Sequence, residues 1–168
     1  MKKWLVGAGI VLLLIVAAVS IYNELRHDNW LQERRIELLE DALAPRTPEL
    51  AAYSWAEAIK IRNGAWQYAI MDDKLRAEYL EQFEESNWVT GFSSPWVEKY
   101  RVTRESVDEK GNVTFKVDFD WYTSAGYAYS NSGTLTVSKF AYPDRWLLTY
   151  LKFSYEPDSV KNNPKNNA

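Results

Sequence analysis

The hydropathy pattern is dominated at its N-terminal end by one run. The 20 residues from Trp4 to Asn23 carry no charge, and Leu5 to Ile21 is almost wholly apolar. At about 1.5 Å per helical residue such a run spans roughly 30 Å, the thickness of a bilayer's hydrocarbon core. Residues 1–23 are therefore expected to form a transmembrane anchor. Lys2 and Lys3 favour a cytoplasmic N-terminus, although Arg26, Arg34 and Arg35 lie on the other side. An apolar segment this early in the chain reads as a signal-anchor that exports the bulk of the protein. The alternative is a cleaved secretory signal with Ala18-Val19-Ser20 as its small-x-small site, but signal cores usually run only about 7–15 residues.

From Glu24 the pattern becomes charged and helical. Leu25, Leu31, Ile36, Leu39 and Leu43 form a loose apolar stripe, closed by Pro45 and Pro48 because proline cannot continue a helix interior. Residues 24–46 are thus a helical stalk. It is either a spacer that continues the span or a dimerising element, and it is shorter than the three or four heptads a coiled coil wants.

Residues 47–155 read as helices first and strands after. Thr47, Pro48 and Glu49 make a helix start, and Leu50, Tyr53, Ile59 and Ile61 continue an apolar face to a stop at Asn63-Gly64. A second helix is expected over Ala65–Met71 and a third from Asp72 or Asp73 to about Glu85-Ser86-Asn87. After Pro95 the period changes to two, which predicts strands over 96–109, 113–122, 127–140 and 146–155, the third kinked at Gly133. Val113, Phe115, Val117, Phe119 and Trp121 take one face of the second strand, and Thr114, Lys116, Asp118, Asp120 and Tyr122 the other. Helices succeeded by strands predict an α+β domain with helices packed on an antiparallel meander of about four strands. Residues 156–168, rich in Asn, Lys and Pro, are expected to be a disordered tail.

Composition narrows the function classes. With Lys+Arg 20 against Asp+Glu 23 the net charge is −3, which offers no basic face for nucleic acid. Cys 0 removes disulfides and thiol nucleophiles, and His 1 leaves no His-based metal cluster or Ser-His-Asp arrangement. No metal or cofactor is expected. The sole imidazole, His27, lies just past the apolar run. Thr47–Tyr155 holds 6 Trp, 10 Tyr and 6 Phe, and each buried ring contributes on the order of 1.5–3 kcal/mol. Rings therefore account for a core without disulfides, and some are left to line a concavity.

The order of one long helix, short helices and a curved sheet in residues 48–155 resembles the nuclear transport factor 2-like (cystatin-like α+β) superfamily. Arg62-Asn63-Gly64-Ala65-Trp66-Gln67-Tyr68-Ala69 and Ser93-Ser94-Pro95-Trp96-Val97 are similar to phrases in small membrane-anchored domains of this type from Gram-positive bacteria, for which no activity is assigned. The resemblance implies a cone-like domain. Its superfamily includes isomerases and cyclases as well as non-catalytic partners, so fold does not fix function. Enzymes of the superfamily keep acid–base groups inside the cone. Here Asp118 or Asp120 with Tyr122 would serve if their face were the dry one, whereas the apolar opposite face is the better core.

Two further phrases have paired readings. Arg62 with Trp66, Gln67 and Tyr68 either lines a pocket mouth or ends a helix, and Trp96 after Ser94-Pro95 is either a core indole or an exposed binding ring. The sequence thus points to a single-pass envelope protein whose exported domain binds without turning over its ligand. Trp55, Arg62, Trp66, Tyr68, Trp88 and Trp96 are the candidate contacts, in a cleft between the first domain helix and the sheet. The expected partners are the membrane through residues 4–23, a small ligand or an envelope protein, and a second copy through the stalk. The alternatives are an isomerase- or cyclase-like enzyme and a structural subunit of an envelope assembly.

Overall fold

The computed structural model describes residues 2–141 and 144–155, with side chains from Leu13 onward. The tail expected over 156–168 lies outside the described residues, as do the side chains of residues 4–12 in the apolar run. The chain divides into two compact units, residues 1–42 and 43–168. The described residues of the first all lie in one uninterrupted helix, α1 (Lys2–Leu43), so the expected boundary between anchor and stalk at residue 23 is no break in the backbone. Leu13, Leu14, Ile15, Val16, Val19 and Ile21 are all 53% exposed or more. Among the described residues no helix is long and apolar enough to cross a membrane.

The second unit is α+β. Its helices are α2 (Pro48–Lys60), α3 (Gly64–Ala69) and α4 (Asp73–Glu85), and its strands are β1 (Trp96–Val107), β2 (Val113–Thr123), β3 (Gly126–Ala141) and β4 (Asp144–Lys152). The strands form one antiparallel sheet in the order β1-β2-β3-β4. Strand alternation puts Val113, Phe115, Val117, Phe119 and Trp121 on the inner face, each 4% exposed or less. Register irregularities fall at Trp121/Tyr122 and Thr136/Val137. The ladder is regular at Gly133, where the sequence predicts a kink. That glycine answers a different need: a Cβ there would lie 3.0 Å from Phe153 Cδ2 and 3.2 Å from Trp55 Cη2.

α2 begins where Thr47 Oγ1 accepts the Leu50 N–H at 3.1 Å, with Pro48 as its first residue. Ala51, Ala52, Ala56 and Ala58 keep the helix close to the sheet, and Trp55 is the large side chain that enters the core. The end of α2 falls near Asn63-Gly64 as expected, by another device. Arg62 takes the left-handed conformation (φ 60), with Arg62 N donating to Ile59 O and Asn63 N to Ala58 O, a Schellman ending. Asn63 then starts α3, its Oδ1 accepting the Trp66 N–H at 2.9 Å. Gly64 is needed for proximity, since a Cβ would meet Phe83 Cδ1 and Trp88 O at 2.9 Å.

α4 ends the same way. Asn87 and Trp88 have positive φ, and Trp88 N donates to Phe83 O while Asn87 N donates to Glu84 O. The Trp88 ring stacks on Phe83 at 5.7 Å, the apolar contact that accompanies this motif. The chain then runs beside residues 62–64: Gly64 N donates to Trp88 O and Thr90 N to Arg62 O. Arg76 locks α3 to α4. Its Nε donates to Tyr68 O and Met71 O, its Nη2 to Ala69 O, and its guanidinium lies over the Tyr68 ring at 5.0 Å.

Arg76→Ala is expected to destabilise the domain by about 2–4 kcal/mol, because several charge-assisted bonds to carbonyls are lost together. Arg76→Lys should recover little of this, since an ammonium does not reproduce the fork of donors. Gly64→Ala is expected to cost about 1–3 kcal/mol by overpacking. Urea unfolding monitored by tryptophan fluorescence measures all three.

Candidate functional site

The helices and the end of the sheet line a half-open cavity of about 440 Å³. α2 contributes Trp55 and Ile59, and α4 contributes Tyr79, Gln82 and Phe83. Leu151, Phe153 and Tyr155 line it from the last strand and the residues beyond it. Phe92, 73% exposed, and the exposed Gln82 mark where it meets solvent. None of the described lining residues is charged.

Three neutral polar groups converge in the wall. Gln67, 3% exposed, donates from Nε2 to Thr90 Oγ1 at 2.7 Å and more weakly to Ala58 O at 3.4 Å. The Tyr155 phenol lies beside Thr90 and Gln67. Burial pushes its phenol up, and those two polar neighbours only partly offset this, so it stays protonated at neutral pH. The cluster depends on the left-handed turn after α4, which brings Thr90 beside α3. A largely apolar cavity of this size with a few uncharged donors and acceptors suits an uncharged small molecule. Its described lining offers no carboxylate, ammonium or imidazole to move a proton near neutral pH. Among the described residues no group of three or more His, Asp or Glu is placed to hold a metal ion.

Of the six sequence-derived contact candidates, only Trp55 lines this cavity, and as a fully buried core ring rather than a free surface. It packs edge-on against Phe153 at 5.3 Å and Phe119 at 5.8 Å, with its Nε1 buried and without a hydrogen-bond partner. Tyr68, half-buried, is held between Trp88, Phe83 and Arg76. Trp66 is half-buried against the core. Trp88 closes α4, Arg62 is an exposed helix terminus, and Trp96 donates from Nε1 to Glu98 at 3.0 Å. The pocket-mouth phrase thus contributes Gln67 and not Arg62. Thr90 and Tyr155 went unrecognised because they become neighbours of Gln67 only through the fold.

Asp118, Asp120 and Tyr122 occupy the sheet face opposite the buried row of β2, outside the cavity. Partial burial raises the Asp118 carboxyl, but Lys116 Nζ at 2.8 Å, Ser132 Oγ at 2.7 Å and the nearby Arg101 outweigh it and hold the group below the usual carboxylate range. A proton-abstracting carboxylate in a dry pocket needs the opposite shift. No protein-family model matches this chain, and no curated protein or solved structure does either.

Because the folded-state pKa of Asp118 is depressed, its contribution to stability is present above the ordinary value of 3.8 and is lost as pH falls through the lowered one. The stability gap between wild type and Asp118→Asn is therefore expected to shrink steadily as pH drops from about 5 to about 2. Urea titrations across that range measure it, and a constant gap would show that the carboxylate's charge is not what stabilises.

Proposed function

We propose that this chain is a single-pass, membrane-anchored binding module without catalytic activity, its C-terminal domain held outside the cytoplasmic membrane around a small, uncharged, largely apolar ligand. The ring-lined cavity of about 440 Å³, free of charged lining side chains among the described residues, carries the binding part of this reading. The anchor rests on the uncharged run from Trp4 to Asn23. The more than half-exposed apolar side chains between Leu13 and Ile21 support it, since exposed apolar surface on this scale in water calls for a partner or a bilayer. Lys2 and Lys3 set the N-terminus inside. The nuclear transport factor 2-like resemblance belongs to the same reading, with the cavity as the interior of its cone. An envelope protein, or a second copy met through the stalk, remains a partner of the tethered module. Asp118 and Asp120 with Tyr122 fit an isomerase or cyclase less well, because they stand outside the cavity.

Two measurements test the reading. The neutral probe N-phenyl-1-naphthylamine is expected to bind the full chain in detergent at one saturable site. Leu151→Trp, which fills the cavity, should weaken that site by about tenfold or more. Equal probe fluorescence from both proteins would remove the cavity as a binding site. For topology, Lys110→Cys places a single thiol in the exposed β1–β2 turn of a chain with Cys 0. A membrane-impermeant maleimide should label it in intact cells, and labelling only after lysis would reverse the orientation.

A further inference from the structure

The sheet face that carries Asp118 and Asp120 has a chemistry of its own. Strand register sets six side chains in two rows, Lys99 opposite Asp120 opposite Ser130, and Arg101 opposite Asp118 opposite Ser132. Unlike charges directly opposite on neighbouring strands ordinarily pair. Here they do not: among the described residues the side chains of Lys99 and Arg101 make no hydrogen bond or ion pair.

The cause lies on β3 and along β2. Ser130 Oγ donates to Asp120 Oδ1 at 2.6 Å, and Ser132 Oγ donates to Asp118 Oδ1 at 2.7 Å. Lys116 Nζ holds that same Asp118 oxygen at 2.8 Å. Ser130 is itself steadied by the Tyr127 hydroxyl at 3.0 Å. These bonds draw both carboxylates toward β3, away from the basic groups of β1. Between them runs a groove of about 400 Å³ whose walls include all six side chains. The Oδ2 atom of each carboxylate has no hydrogen-bond partner among the described residues.

A lone anion beside Lys99 and Arg101 would stand close to two carboxylates, and a lone cation beside Asp118 and Asp120 would stand close to two basic groups. A molecule with one charge of each sign satisfies both rows and leaves none uncompensated. We propose that this groove is a second binding site, separate from the apolar cavity, for a small zwitterion bearing a carboxylate and an ammonium group, as a free amino acid or a short peptide does. Its carboxylate meets Arg101 and Lys99, where the guanidinium offers a bidentate fork. Its ammonium meets the free oxygens of Asp118 and Asp120. The serines act as positioning residues that keep the groove open.

Diglycine titrated into the ¹⁵N-labelled full chain in detergent, monitored by NMR, tests the proposal. Saturable shifts are expected at the amides of residues 99–101 and 118–120, with acetate and ethylammonium each about tenfold weaker or worse. Arg101→Gln and Asp118→Asn should each weaken diglycine by about tenfold. Ser132→Ala keeps every charge but removes one of the two bonds that hold Asp118 away from Arg101, so it should weaken diglycine too, and N-phenyl-1-naphthylamine binding should be unchanged in all three. No shift with diglycine at about 50 mM, or equal binding of acetate alone, would overturn the zwitterion site. So would binding of glucose as tight as that of diglycine, which would make the groove a polyol site.

Discussion

The domain depends on the seating of Trp55 against the sheet. The indole is fully buried between Phe119 of β2 and Phe153, and it reaches the sheet because residue 133 has no side chain. A close-packed interior tolerates neither a void nor an extra methyl at such a point. The alanines of α2 serve the same approach by keeping the helix backbone near the strands. The Tyr100 hydroxyl adds a directional tie, donating to Glu57 Oε2 at 2.9 Å. Partial burial and that carboxylate push the Tyr100 phenol up to about 12, so it remains a donor throughout the physiological range.

From that seat the cavity arises. α2 fixes one wall through Trp55 and Ile59, and the last strand leads to the other through Leu151, Phe153 and Tyr155. Two left-handed helix endings complete the enclosure: one at Arg62 turns the chain into α3, and one at Asn87 and Trp88 returns it beside residues 62–64. Backbone geometry, more than side-chain identity, thereby sets Thr90 against Gln67. Arg76 ties the carbonyls at the end of α3 to α4 and holds the short helices as one wall.

The sheet separates two kinds of chemistry by its pleat. Rings and aliphatic groups face the helices, where the one buried amide of β3, Asn131, is satisfied by Trp121 Nε1 at 2.7 Å and by the Ser154 carbonyl. Charges and hydroxyls face away, where solvent and neighbouring strands stabilise them. A carboxylate on the outer face is held ionised by Lys116 and Ser132, while the polar groups that line the inner cavity are neutral among the described residues. The proposed uncharged ligand inside and the proposed zwitterion outside both follow from this one division.

Local rules made much of this legible in the sequence. The strict alternation from Val113 to Tyr122 fixed which β2 residues are buried, because strand side chains alternate whatever surrounds them. Thr47-Pro48 marked the start of α2, since capping needs only neighbours in sequence. The long uncharged N-terminal run was equally plain as composition. What the tertiary structure alone decided was the use of each ring and each glycine. Trp55, Trp66, Tyr68, Trp88 and Trp96 look alike in sequence, yet only Trp55 borders the cavity, because burial is set by what the rest of the chain brings alongside. Gly64 and Gly133 read as a stop and a kink, and both turned out to be points of close approach. Conformational preference is written in a residue and its neighbours, whereas space is allotted only when distant segments meet.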